Sequence, residues 1–285
     1  MRKRYPRYFR PRFDAWRTCR SNTDAQTLEL IDLLPPLKGD LPPSCPNGFV
    51  YTSCNDLYLD LYGRDLIRSA QLRSPDQHFH LHLYDPSKES IRSLDDQVQK
   101  GKLTVTWDYR DQAKQPLALD GIFYFQNLRF VRMWQVLKAA QSSMFLVDSD
   151  AVIRNDLTPA FAAQKDTDVS LYLRVKRRNP LRRLLASAVI INPTENGIRY
   201  ARDCAAVFVP YLLGGATEPI DQMLLHLAWR YHSKRIKGFN YGELDKSYSD
   251  WLYEDEAFVW HAKGSRKDSP IPLERVFGES TPPTS

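Results

Sequence analysis

"SSMFLVDSDAVIRNDL", residues 142–157, sets a short apolar run, Met144 to Val147, directly ahead of two carboxylates one residue apart, Asp148 and Asp150. Such a run predicts a buried strand. If the strand continues through the acids, both side chains leave the same face, where they repel unless a cation lies between or beyond them. Oxygen donors of this type suit Mg2+ or Mn2+ better than zinc and leave coordination positions for phosphate oxygens and water. The pair reads as a metal and diphosphate site; the alternative is two solvated loop charges.

Strand and helix patterns alternate ahead of this stretch. "FVYTS" (49–53) reads as a strand, residues 55–72 as a helix with Leu57, Leu61, Ile67 and Ala70 on its periodic positions, "HFHLHLYD" (78–85) as a strand, "PSKESIRSLDDQVQ" (86–99) as a helix and "KLTVTWD" (102–108) as a strand. A longer helix over 125–140 leads into "MFLVDSD". The order predicts an α/β domain with a doubly wound, mixed but mainly parallel sheet, in which the acids lie at the strand end where ligands bind. Beyond it, "DVSLYLR" (168–174) and "ASAVIIN" (186–192) read as strands, 194–213 and 219–231 as helices, and "RIKGFN" (235–240) and "AFVWHA" (257–262) as short strands.

The chain has 285 residues, 42% of them hydrophobic, enough for a sizeable core. No run approaches the roughly 18 apolar residues that span a bilayer, and no apolar block follows the basic start, so neither a transmembrane helix nor a signal peptide is expected. Cys19, Cys45, Cys54 and Cys204 have no CxxC spacing, which makes a reducing cytoplasm the default location. Residues 1–20 hold eight Arg or Lys against Asp14 alone, giving this arm +7 and leaving −1 for the rest of a chain of net charge +6. Tyr5, Tyr8, Phe9, Phe13 and Trp16 alternate with those cations, a mixture suited to peripheral contact with an anionic membrane surface such as the inner membrane face. Nucleic acid could bind the same mixture but is not the expected partner; a disordered terminus, or one packed on its own domain, is the plainer alternative. The expected organisation is a basic arm and proline-rich linker over 1–46, one catalytic domain over 47–275 and a flexible tail over 276–285.

"LVDSDAVI" satisfies the D-x-D-x-T/V string of haloacid-dehalogenase-type phosphatases, with Asp148 as nucleophile. That chemistry wants its aspartate after the first strand and a later acidic pair after another strand; here three strands come first and no later strand ends in such a pair. "FVWHAKGSRK" supplies His261, Gly264 and Lys267 as H-x-x-G-x-x-K. Such a spacing lets an imidazole ligate a metal, a glycine bring the backbone close, and an ammonium meet a phosphate oxygen.

With these two motifs the chain resembles family 8 glycosyltransferases of the GT-A fold, the group that includes glycogenin and bacterial lipopolysaccharide galactosyltransferases. The resemblance runs over about residues 49–267 and is distant outside the motifs. It implies Asp148, Asp150 and His261 as ligands of Mn2+ or Mg2+, and Gly264 and Lys267 at the diphosphate. "VYTSCNDLY" is similar to the family's first strand and turn, which implies Thr52, Ser53, Asn55, Asp56 and Tyr58 at the uracil and ribose. Arg132 in "RFVRMW" is similar to the donor-contacting arginine, and Asp221 and Gln222 in "EPIDQMLL" to the pair beside the donor sugar. "GELDKSYSDW" resembles the segment before the final histidine motif.

Two departures stand out. Leu185 and Ser187 in "LASAVIIN" replace the family's Asn and Gly at the sugar pocket, and its proline and tryptophan after the last lysine are missing. What the resemblance implies is transfer of a hexose from a UDP-sugar to a glycan or glycolipid with retention of configuration. The alternatives are the phosphatase and a non-catalytic sugar-nucleotide-binding module.

"RVKRRNPLRR" packs Arg174, Lys176, Arg177, Arg178, Arg182 and Arg183 into ten residues. An anionic acceptor is the functional reading; a solvated loop balanced by nearby acids is the other. His78, His80 and His82 alternate along one strand face, but without acidic or cysteine partners at ligand spacing they are expected to be structural. Trp107, Trp134, Trp229 and Trp251 read as core or acceptor-platform aromatics.

Overall fold

The structure, a computed structural model, describes residues 6–110, 122–174, 176–177, 179, 182–214, 220–261 and 275–277. Two helices come first, α1 (Pro6–Ser21) and α2 (Asp24–Ile31). α2 starts at a capping box: Thr23 Oγ1 accepts from the Gln26 N–H while the Gln26 side chain accepts from the Thr23 N–H. The proline-rich segment that follows is not wholly irregular, because Lys38–Gly39 (β1) pairs antiparallel with Trp107 and Thr106. Gly39 takes φ +90°, and a Cβ there would stand 2.4 Å from the Val105 carbonyl oxygen, so this close approach requires glycine.

β2 (Phe49–Asn55) runs into α3 (Asp56–Tyr58), a π-helical turn (Leu59–Gly63) and α4 (Arg64–Arg73), together filling the helix expected over 55–72. β3 (His78–Tyr84) follows. The helix expected over 86–99 is instead two pieces, α5 (Lys88–Arg92) and α6 (Asp95–Gln99), and the break turns Leu94 into the core. Next come β4 (Leu103–Asp108), α7 (Ile122–Ala140), β5 (Met144–Val147), β6 (Ala151–Ile153), α8 (Thr158–Ala163), β7 (Val169–Leu173) and β8 (Leu184–Ile191). α9 (Glu195–Leu213), α10 (Asp221–Arg235), β9 (Tyr241–Glu243) and β10 (Val259–His261) follow. "RIKGFN" is a turn rather than the expected strand: Gly238 at φ +77° breaks the extended run, and pairing begins at Tyr241.

Among the described residues, eight strands form one sheet in the order β1-β4-β3-β2-β5-β8-β7-β9. β4, β3, β2 and β5 are mutually parallel, and the strand order reverses between β2 and β5. That reversal opens a crevice at their C-terminal ends, the general ligand site of doubly wound sheets. β8 lies antiparallel to both β5 and β7, and β6 and β10 pair separately as a two-stranded ribbon.

Alternation along β5 feeds two cores. Met144 and Leu146 join the helices α1, α2, α7, α9 and α10 on one face, while Phe145 and Val147 join α4 and α8 on the other. The described part of the basic arm belongs to the first layer: Ala15 and Cys19 of α1 are buried in its core, and Asn22 Nδ2 donates to Asp203 Oδ1 of α9 at 3.0 Å. Phe13 and Trp16 remain exposed. All four cysteines are free and buried, and no helix among the described residues is long and apolar enough to cross a membrane.

Candidate functional site at the β2–β5 crevice

β5 stops at Val147, so Asp148 and Asp150 occupy a turn, closed by the Ala151 N–H donating to the Asp148 carbonyl at 3.2 Å, and not a continued pleat. The shared-face geometry expected for an extended D-x-D therefore does not apply. The turn leads into β6, and β10 pairs with it antiparallel in a register that sets His261 opposite Ala151, the residue after Asp150. On its other side the His261 N–H donates to the Asp250 carbonyl at 2.8 Å, so the imidazole is delivered between two backbone neighbours. His261 Nδ1 lies 3.2 Å from Ser249 Oγ, which lies 3.1 Å from Ser187 Oγ. Ser187, one of the two residues that replace the family's Asn and Gly, is thereby joined to the histidine through Ser249.

By donor type, two carboxylates and an imidazole are a set that suits Mn2+ or Mg2+. Among the described residues, the trio of His, Cys and carboxylate donors that lies within 4.8 Å of one another is Cys19, Asp203 and His232, so the ligand atoms of Asp148, Asp150 and His261 stand farther apart than that. The buried trio belongs to the α1–α9–α10 contact. Asp203 Oδ1 already accepts from Asn22 and from Arg202 Nη2 at 2.9 Å, and Oδ2 from His232 Nε2 at 3.0 Å, a satisfied lock that holds the arm.

Arg129 organises the carboxylates. Rising from α7, its Nη1 binds Asp148 and its Nη2 reaches Asp221 Oδ2 at 3.0 Å. Burial alone would lower its pKa, but Asp148 and Asp221 outweigh it and raise it. Asp221 begins α10 and is nearly fully buried; desolvation pushes its pKa up, opposed first by Arg129 and then by the Gln222 N–H.

Arg132, the arginine expected at the donor, lies elsewhere. It is fully buried and spends its donors on Asp108 Oδ2 (Nε at 2.9 Å, Nη2 at 2.7 Å), Gln135 and the Pro35 carbonyl. "LRFVRMW" carries two arginines three residues apart on one helix, hence on nearly the same side. Only the packing of α7 on the sheet sends one to the crevice and the other into the core.

The β2 candidates gather at the end of that strand, beside the end of β5. Thr52 is buried, its Oγ1 donating to the Val147 carbonyl at 2.9 Å and tying the two strands together just before Asp148. Asn55 Oδ1 caps α3 by accepting from the Tyr58 N–H at 3.0 Å, and Asp56 Oδ2 accepts from the Ser87 N–H at 2.9 Å. Ser53 and Tyr58 are half-buried, the Tyr58 ring lying 5.5 Å from that of Tyr62. Gln222, next to Asp221, accepts from Arg174 Nη2 at 3.0 Å. Gly264 and Lys267 lie outside the described residues.

The three histidines of β3 form a ladder with β4. His78 and His80 bind Thr104, His80 and His82 bind Thr106, and His82 Nε2 lies 3.2 Å from Asp108 Oδ2; the three histidines, Thr106 and Asp108 are buried. Trp134 is fully buried core, whereas Trp107, Trp229 and Trp251 are partly buried.

No family model matches the chain, and no curated protein matches it. Solved structures do. The galactosyltransferase LgtC, in complex with donor and acceptor sugar analogs, aligns at 15% identity and TM-score 0.55 over 82% of this chain and 97% of its own. An active-site mutant of LgtC aligns at 16% identity and TM-score 0.56 over the same shares, 82% and 97%. The glycosyltransferase GlyE of Streptococcus pneumoniae TIGR4 aligns at 12% identity and TM-score 0.53 over 82% of this chain and 60% of its own. The chain has the GT-A glycosyltransferase fold.

Proposed function

We propose that this GT-A chain is a metal-dependent glycosyltransferase that moves a hexose from a UDP-sugar to a hydroxyl of a glycan or glycolipid, with retention of configuration. One observation carries the reading: at the switch point of the sheet, the D-x-D turn, the strand bearing His261 and the first residue of α10 meet, with Arg129 binding Asp148 and Asp221 together. The glycosyl-transferring neighbours of the same fold support it.

Asp148, Asp150 and His261 would hold the cation through two carboxylates and the imidazole nitrogen Nε2 once loading draws their ligand atoms closer than they stand here, with Ser249 keeping Nδ1 occupied and the ring oriented. The cation supplies charge neutralisation at the diphosphate as the nucleotide leaves. Thr52, Ser53, Asn55, Asp56 and Tyr58, at the end of β2, would take the nucleoside, and Lys267 and Gly264 the phosphates. Asp221 and Gln222, held by Arg129 and Arg174, would orient the sugar hydroxyls. Because Arg129 pre-places Asp221, little reorganisation is needed there when the donor arrives.

A phosphatase using Asp148 fits less well. Its nucleophile would follow the fourth parallel strand, and the carboxylate is ion-paired to Arg129. The deciding experiment is calorimetry of UDP with and without Mn2+ on wild type and on Asp150→Ala. Metal-dependent binding that the substitution abolishes is expected; UDP binding indifferent to both would sink the proposal. Turnover of a panel of UDP-sugars then separates a transferase from a binding module.

A further inference from the structure

The arginine-rich hairpin between β7 and β8 is not used by the donor reading, yet it is stitched to the same site. Arg174 follows β7, and its Nη2 donates to Gln222 Oε1 at 3.0 Å and to the Leu184 carbonyl at 3.3 Å. The hairpin thus adjoins the start of α10, one residue from Asp221. Its own bonds draw the cations together: the Arg174 N–H donates to the Arg183 carbonyl at 2.7 Å, the Arg177 N–H to the Arg174 carbonyl at 2.9 Å, and Arg183 Nε to the Arg177 carbonyl at 3.1 Å.

Resting on the transferase reading above, we propose that the acceptor carries an anionic group, a phosphate or a carboxylate, and that Arg174, Arg177, Arg182 and Arg183 bind it beside Gln222. Among the described residues, none of the four arginines has a carboxylate within ion-pair distance, in contrast to Arg110, Arg129, Arg132 and Arg202, each of which does. The sequence offers no local relief either, since no Asp or Glu occurs from Val169 to Thr194. A balanced, solvated loop would show such partners. Like charges held this close repel: burial, then Arg177, lowers the pKa of Arg174, and burial, then Arg183 and Arg230, pushes His226 of α10 down to about 4. A bound anion would relieve that repulsion, and a planar guanidinium fork matches phosphate or carboxylate oxygens in pairs.

The hairpin contains no aromatic residue between Arg174 and Arg183. It therefore has no stacking platform for bases and no ring to enter a lipid interface, which favours a charged sugar over a nucleic acid or a bilayer.

The test uses the full chain with UDP and Mn2+ present. Calorimetry would compare glucose, glucose 6-phosphate, glucuronate and a mixed-sequence oligonucleotide, on wild type and on the Arg177→Gln/Arg182→Gln double variant. UDP affinity in the same samples reports that the fold is intact. The expected result is that at least one charged sugar binds about tenfold or more tighter than glucose and that the double variant removes this preference. Preference for glucose 6-phosphate identifies phosphate as the group; preference for glucuronate identifies carboxylate. Equal affinity for charged and neutral sugars, a preference surviving in the double variant, or an oligonucleotide binding more tightly than either charged sugar would overturn the proposal. If wild type binds no UDP, the transferase reading falls and the acceptor assignment with it; if UDP binds but charge makes no difference, the acceptor proposal fails alone.

Discussion

Arg129 reaches Asp221 Oδ2 at 3.0 Å while its other terminal nitrogen binds Asp148, so one guanidinium joins the start of α10 to the turn after β5. Removing it leaves Asp221 desolvated without its main counter-charge. Arg129→Gln is expected to cost about 3 kcal/mol of stability and to lower transfer at least about a hundredfold. It should also raise the pKa of Asp221 further, moving the acid limb of the activity profile to higher pH. Urea unfolding and pH–rate profiles check both parts.

Asp221→Asn should separate stability from function. Burial raises the folded pKa of Asp221 above its ordinary 3.8, so over the window just above that value the folded chain holds more protons than the unfolded one, and stability falls as pH rises. The amide lacks this penalty. The variant should lose transfer, yet be as stable as wild type or more so at pH 7, with any advantage fading below pH 3.8; melting temperatures across that range measure it.

Ser249 bonds His261 Nδ1 at 3.2 Å and acts as a positioning residue. Ser249→Ala should weaken Mn2+ binding by about tenfold, within the usual range for the loss of a partner behind a ligand. His261→Ala should weaken it more. Titration with Mn2+ in the presence of UDP gives the ranking without an activity assay, and equal loss in the two variants would contradict the assigned roles.

Acid should unfold the protein partly through its buried histidines. Burial lowers the folded pKa of His78, His80, His82 and His226 below 6.5, so on acidification the unfolded chain takes up protons first. Stability therefore falls as pH drops from 6.5 toward the depressed folded values, by up to about 1.4 kcal/mol per pH unit for each such group. His80→Asn should flatten this slope between pH 6.5 and 5, measured as urea midpoints.

Asp203→Ala should loosen the amino-terminal helix. It strips His232, Arg202 and Asn22 of a shared buried acceptor, at an expected cost of about 3 kcal/mol. Limited proteolysis should then cleave within residues 6–21 faster than in wild type.

The strand and helix alternation and the place of Asp148 at a strand end were legible from the chain. Each depends on local hydrophobic periodicity or on short motifs whose spacing survives in sequence. The break at Leu94 and the turn at Gly238 were not, because both depend on which side chain the core accepts and where a partner strand begins. Only the tertiary structure decided that Arg129 and not Arg132 faces the carboxylates. Two arginines three residues apart share one side of a helix, and the angle at which α7 lies on the sheet separates them. It alone decided, too, that Cys19 and the described part of the basic arm, α1, dock on α9 and α10, and that Arg174 meets Gln222. Such contacts join residues remote in sequence, whose energies exist only once the sheet has brought their backbones together.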